Sequence, residues 1–291
     1  MKSVIGNSNL EITVKHTGAE LSGIRDSAGT EYMWQGNPDI WSGQAPVLFP
    51  VVGKLNNNTY IYDGQTYRMG LHGFARNNEF KKSGDSDEHL SFTLEDSEKT
   101  RGMYPFKFNL NVLFRLSAET LEVTYEVINR DKKVMPFSIG AHPAFAFSWG
   151  EDDRLEDYYI QFNKKENAGI YKLDENFLLS EQPSATIANT DILRITKEIF
   201  DEDALIFKEL ESDTATLRSD RHSRKVQVEF PGFPHLGIWA KPSAPYVCIE
   251  PWHGHADPSG YSGDIMEKPG IIKLQPGKQF SCRHRIKVIL P

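Results

Sequence analysis

Apolar and polar residues alternate with a period of two over much of the chain. The stretches "LEITVKH" (10–16), "LEVTYEVINR" (121–130), "KVQVEF" (225–230) and "HRIKVIL" (284–290) all carry this pattern, the signature of strands with one buried face. In "TYIYDGQTYRM" (59–69) the pair Asp63-Gly64 separates two such runs, which predicts a two-residue hairpin. Pro276-Gly277 in "QPGKQF" predicts a turn just before the final strand. Helical periodicity is scarce. Only "TKEIFDEDALIFKEL" (196–210) is ambiguous and has room for a turn of helix. There is no internal repeat and no low-complexity linker, and glycine and proline are scattered as turn punctuation. The expectation is an all-β chain, residues 1–291 forming a single domain, whose many strands fold into a sandwich or close on themselves to bury their faces.

Composition narrows the class. At 291 residues, with 39% apolar and 25% charged side chains, the chain has the profile of a soluble globular protein. A net charge of −7 argues against nucleic acid or an anionic membrane surface as a partner. The longest apolar run, "APVLFPVVG" (45–53), is far too short to span a bilayer and is broken by prolines. The opening "MKSVIGNSNLEITV" has neither a long apolar core nor a cleavage site, so no signal peptide is expected. Two cysteines, Cys248 and Cys282, make no disulfide framework and suit a reducing cytoplasm.

Four segments could carry chemistry. "SIGAHPAFAF" (138–147) holds one titratable group, His142, among small and aromatic residues. It is either a satisfied core histidine or an acid able to exchange protons near neutrality. "LFPVVGKLNNN" (48–58) and "GLHGFARNNEF" (70–80) supply Lys54, His72 and Arg76. The glycines around His72 suggest a loop whose backbone lies close to something, and the alternative is a polar surface loop. In "APYVCIEPWHGHADP" (244–258), alternation puts Tyr246, Cys248 and Glu250 on one face and Val247 and Ile249 on the other. Glu250 is then a base next to the stacking platform of Trp252, or an ordinary glutamate on a solvated face. His253, His255 and Asp257 in the same segment have a metal-ligand flavour, but Gly254 and Pro258 favour a loop and no metal is expected. In "FDEDALIFKEL" (200–210), Asp201, Glu202 and Asp203 either include one carboxylate that accepts hydrogen bonds from sugar hydroxyls or form an acidic helix cap or turn.

Taken in order, "PVLFPVVGKL", "LHGFAR", "GAHPAF", "DEDALIFK", "GIWAKP", "YVCIEPWHG" and "LQPGKQF" resemble the aldose 1-epimerase (galactose mutarotase) family. The likeness is to its divergent branch, associated with bacterial lactose and galactose utilisation, and it spans nearly the whole chain. The resemblance implies a large β-sandwich of the galactose mutarotase type with few short helices and an open cleft. It implies Glu250 as catalytic base, His142 as catalytic acid, His72 as a second histidine that orients the sugar, Asp203 as a hydroxyl-binding carboxylate and Arg76 as a substrate-side donor. Lys54 stands where relatives often carry arginine, so a bidentate contact is not expected there. Trp252 and the 253–257 stretch also depart from the better-known galactose enzymes, which leaves the sugar open.

The implied reaction interconverts the α and β anomers of an aldose such as galactose or glucose. A base takes the C1 hydroxyl proton, an acid protonates the ring oxygen, and the opened chain recloses on the other face of C1. Proton transfers alone accomplish this, so no cofactor is expected. The expected partner is a small sugar, and the expected assembly a monomer or homodimer. Reference values near 4.3 for Glu and 6.5 for His predict activity that rises as Glu250 ionises and falls as His142 loses its proton. Three alternatives remain. A hexose-6-phosphate epimerase would need a basic cluster, and only Lys54 and Arg76 are evident. A non-catalytic sugar-binding module on the same fold would have no use for an acid–base pair. A metalloenzyme would rest on His253, His255 and Asp257.

Overall fold

The computed structural model of the chain describes residues 1–147, 149 and 153–290. The four alternating stretches become the strands Leu10–Lys15, Thr120–Asn129, Lys225–Glu229 and Gln279–Ile289. The last three are neighbours inside a nine-stranded antiparallel sheet. Val226, Val228, Ile286, Val288, Val123 and Val127 all point into one core, as period-two patterning requires. Asp63 and Gly64 close the hairpin between Thr59–Tyr62 and Gln65–Arg68 with φ of 50° and 72°, a turn that matches strand twist. Gly277, at φ 69°, makes the turn ahead of the last strand.

A smaller sheet is built around the strand Tyr246–His253. On one side it pairs with His235–Trp239, which in turn pairs with Leu205–Phe207. On the other it pairs with Ile139–Gly140 and Ala144–Ala146. The two sheets form a β-sandwich, and the apolar cluster between them draws residues from Ile5 to Val288. Val247, Ile249 and Ile238 are among the small sheet's contributions to it.

Two points that the sequence left open are decided here. The face carrying Cys248, Glu250 and Trp252 is not solvated, because these residues are 0%, 1% and 5% exposed. A second apolar layer covers that face, with Leu48, Val52, Leu179 and Ile206 packed around Trp252. The 196–210 stretch contains no helix. Its apolar run, Ala204 to Phe207, is buried and ends in the strand Leu205–Phe207, and Asp203 sits at φ 68°, a conformation no helix contains. The one α-helix among the described residues, Glu98–Met103, begins where the Ser97 side chain caps the Thr100 amide. No helix among the described residues is long and apolar enough to cross a membrane.

Candidate active site

The strand Tyr246–His253 presents Glu250 and Trp252 to a cleft of about 280 Å³ on its outer side. Two glycines on the flanking strands make room for the indole. Gly140 is the cross-strand partner of Trp252, and Gly237 is that of Glu250. A Cβ at either position would stand 2.6 Å from the Trp252 ring, well inside contact distance. The tryptophan therefore lies flat across three strands as part of the cleft wall.

His142 reaches the same cleft from the loop between Ile139–Gly140 and Ala144–Ala146. Its Nε2 is 3.2 Å from Glu250 Oε2, though not aligned as a hydrogen bond, and that buried oxygen has no hydrogen-bond partner. A carboxyl oxygen left unfilled at a cleft floor is placed to meet a ligand hydroxyl. Trp41 stacks on the imidazole at 5.1 Å between ring centroids, while Trp239 and His72 meet it edge-on at 5.6 and 5.7 Å. These rings enclose His142 on three sides, and it also lines the cleft.

Burial sets the protonation of this pair. It pushes the Glu250 carboxyl well up, with Asp203 adding to the shift and the Trp252 indole N–H opposing it. It pushes His142 down to about 3, reinforced by the Arg76 charge. The resting pair thus holds one proton, on the carboxyl, and His142 is neutral. This reverses the order expected from reference values, because desolvation penalises both charged forms. A sugar hydroxyl donating to the carboxylate favours the reactive tautomer, with carboxylate beside imidazolium.

His72 sits at φ 61° in the turn between two glycines. Its Nδ1 accepts a hydrogen bond from the Gly53 N–H at 3.1 Å, and the His72 backbone N–H donates to Gly53 O at 2.9 Å. Because Nδ1 accepts, the ring proton of this neutral imidazole is on Nε2, which is left as a donor. Burial, then His142, then Arg76 hold its pKa well below the ordinary value. Gly73 is required by close approach: a Cβ there would lie 2.3 Å from Phe49 O. The glycine punctuation marks backbone pressed against backbone.

The cleft also takes in Lys54, Arg76 and Asp203. The Lys54 ammonium lies 5.4 Å from the centroid of the Phe177 ring. Arg76 Nη2 donates to Leu71 O at 3.0 Å, and burial lowers its pKa. Burial raises that of Asp203, against the Ala204 N–H bond and Lys172. All seven residues singled out in the sequence line this one cleft. The sequence reading missed Trp41, Phe177, Trp239 and Lys241. Nothing but "GIWAKP" hinted at Trp239 and Lys241, and Trp41 and Phe177 arrive from segments with no motif.

The 253–257 stretch is not a ligand set. His253 packs against Phe233 and Phe280, His255 Nδ1 lies 2.7 Å from Ala256 O, and Asp257 pairs with buried Lys268 at 2.9 Å. Among the described residues, metal-capable atoms converge within 4.8 Å only at His142, Cys248 and Glu250. Burial raises the pKa of both the Cys248 thiol and the Glu250 carboxyl.

A buried carboxyl–imidazole pair thus lies in a cleft walled by aromatic rings and lined by charged side chains, and comparison with known proteins gives the class. The aldose 1-epimerase family model matches residues 1–273. The LacX protein of Lactococcus lactis is 34% identical over 280 residues, 93% of each chain. A galactose mutarotase related enzyme from Lactobacillus acidophilus superposes with a TM-score of 0.94 at 35% identity, covering 100% of this chain and 98% of that one. A galactose mutarotase-like protein from Lactobacillus casei gives 0.91 at 29% identity, covering 99% and 100%. The chain belongs to the aldose 1-epimerase family. It is an isomerase of the mutarotase type that acts on a small sugar.

Proposed function

We propose that this protein interconverts the α and β anomers of a free aldose, galactose or glucose, with Glu250 as base and His142 as acid. The observation that carries this is the 3.2 Å approach of His142 Nε2 to Glu250 Oε2 at the cleft floor. The C1 hydroxyl and the ring oxygen share a carbon, so the groups serving them must be neighbours. Glu250 takes the hydroxyl proton while His142 delivers one to the ring oxygen. The C1–O5 bond breaks to give the aldehyde, C1–C2 rotates, and the reverse transfers close the ring. His72 donates from Nε2 to the sugar, Asp203 accepts from its hydroxyls, and Lys54 and Arg76 donate. Trp252 gives its C–H face a flat apolar wall.

Each positioned acid or base is worth about 10² to 10⁴ in rate. The aromatic surroundings strengthen the coupling of imidazolium to the developing charge. No step calls for a cofactor. The core cluster running from Ile5 to Val288 supports residues 1–291 as one domain, and we place the enzyme in the cytoplasm as a monomer or homodimer. The test is Glu250→Gln, assayed by polarimetry from a pure anomer. A folded variant with at least a hundredfold lower kcat is expected, and near wild-type turnover would remove Glu250 from the mechanism.

A further inference from the structure

The cleft does not end at the sugar-sized pocket. It opens across a seam into a groove of about 790 Å³. Leu173, Phe177, Asp203, Trp239 and Lys241 line both spaces. The cleft alone, about 280 Å³, lies at the lower end of ligand-site volumes, roughly 300 to 1,000 Å³, and suits one ring. The combined space suits more.

The seam is built. Phe177 stands there 46% exposed, in a left-handed conformation at φ 60°, which costs a bulky residue energy and persists only where the surroundings enforce it. The enforcement comes from Asp174. Its Oδ1 accepts from the Asn176 and Leu178 amides, and its carbonyl accepts from the Phe177 N–H. Ser259 in turn donates to Asp174 Oδ2 at 2.6 Å. The turn thus holds an aromatic ring out at the boundary between the two spaces, and the Trp239 ring lines the same boundary. Paired aromatic faces offer stacking to the C–H surface of a sugar. The groove beyond carries Asp174, Glu175, Asp201 and Glu202 against Lys172 and Lys241. This lining supplies acceptors for hydroxyls, and its excess of negative charge opposes a phosphate.

We infer that the groove is a second sugar subsite, and that the favoured substrate is the reducing end of a neutral disaccharide or longer oligosaccharide. The inference rests on the mutarotase reading above. The reducing ring occupies the cleft with its C1 at Glu250 and His142, and the adjoining ring lies over the groove between Phe177 and Trp239. The glycosidic bond between the rings is untouched. Only the hemiacetal of the reducing ring opens and recloses.

The experiment measures anomer exchange by NMR at the reducing-end C1 for glucose, maltose, cellobiose, lactose and glucose 6-phosphate. The first four share a glucose at the reducing end, so only the second ring differs. At least one disaccharide is expected to exceed glucose in kcat/KM by about tenfold, the worth of one good contact surface, with glucose 6-phosphate below glucose. Ser184→Trp fills the groove from an exposed position outside the cleft. It should abolish the disaccharide advantage and leave glucose within twofold. The pair Asp201→Asn and Glu202→Gln should raise KM for the disaccharide and not for glucose. Disaccharides no better than glucose, or a Ser184→Trp variant that slows both alike, overturn the subsite while leaving the mutarotase reading intact. Glucose 6-phosphate as the best substrate also overturns it. Absence of exchange with every sugar, glucose included, sinks both readings together.

Discussion

Adding one methyl group at Gly237 tests how the active-site wall is held. In Gly237→Ala the new Cβ would lie 2.6 Å from both Cη2 and Cζ2 of Trp252, and 3.2 Å from Cζ3. Carbon atoms rest at about 3.5 to 4.0 Å, so the indole must retreat by about 1 Å. Its other edge lies against Gly140, where the same 2.6 Å clearance applies at Cδ1, so the ring cannot slide along the sheet. It must tilt into the cleft beside Glu250. Overpacking of this kind costs about 1 to 3 kcal/mol. At about 2 °C per kcal/mol for a chain this long, the melting temperature should fall by about 2 to 6 °C. A displacement of 1 Å in a site wall can cost about a hundredfold in rate, so kcat/KM should fall by between ten- and a hundredfold in a protein that is still folded. Calorimetry reads the first effect and polarimetry the second. Gly237→Ala added to Trp252→Leu, in which the ring is already gone, should lower the melting temperature no further than Trp252→Leu alone, with activity low in both. A single variant within 1 °C and twofold of wild type would mean that the indole is not clamped between the strands and does not wall the site.

The activity profile should run opposite to the free groups. Its acid limb should lie well below 6.5, where neutral His142 gains a proton near 3. Its alkaline limb should lie above 4.5, where Glu250 loses one, and Glu250→Gln should remove that limb. A profile with its acid limb at 4 to 5, moving in Glu250 variants, would restore the free-group order. His284 is 2% exposed and depressed by burial to about 3. The unfolded chain therefore binds a proton below 6.5 that the fold refuses, and stability is lost as pH falls from 6.5 towards 3, at up to about 1.4 kcal/mol per unit. Urea melts between pH 7 and 5 should show a shallower slope for His284→Phe, and an unchanged slope would deny the assignment. Lys268→Met strands buried Asp257, which Lys268 holds at 2.9 Å, and should cost about 3 to 5 kcal/mol by denaturant melts. Activity should survive exhaustive chelation, and loss that one divalent metal restores would revive a metal mechanism.

The sequence by itself determined the strands with one buried face. At Lys225–Glu229, Thr120–Asn129 and Gln279–Ile289 alternation is a local consequence of burying every second side chain. It also determined the Asp63-Gly64 turn, whose positive φ values depend on the residues in the turn itself. The seven residues singled out in the ordered motifs all line the cleft. What surrounds those residues was decided only in three dimensions. Glu250 and His142 are 108 positions apart in sequence and 3.2 Å apart in space. Their inverted protonation comes from aromatic rings and a second apolar layer supplied by distant segments. Strand alternation fixes which face a side chain takes, but not whether water or protein covers that face. For this reason the sequence left a solvated face open as one alternative for Glu250, and the structure buries it. The 196–210 segment stayed ambiguous for a related reason. A short apolar run buried on every side has no period to read, and only its pairing with His235–Trp239 makes it a strand. Trp41 and Phe177 carry no local signal at all, because a ring becomes part of a sugar site only when the rest of the chain folds a cleft beside it.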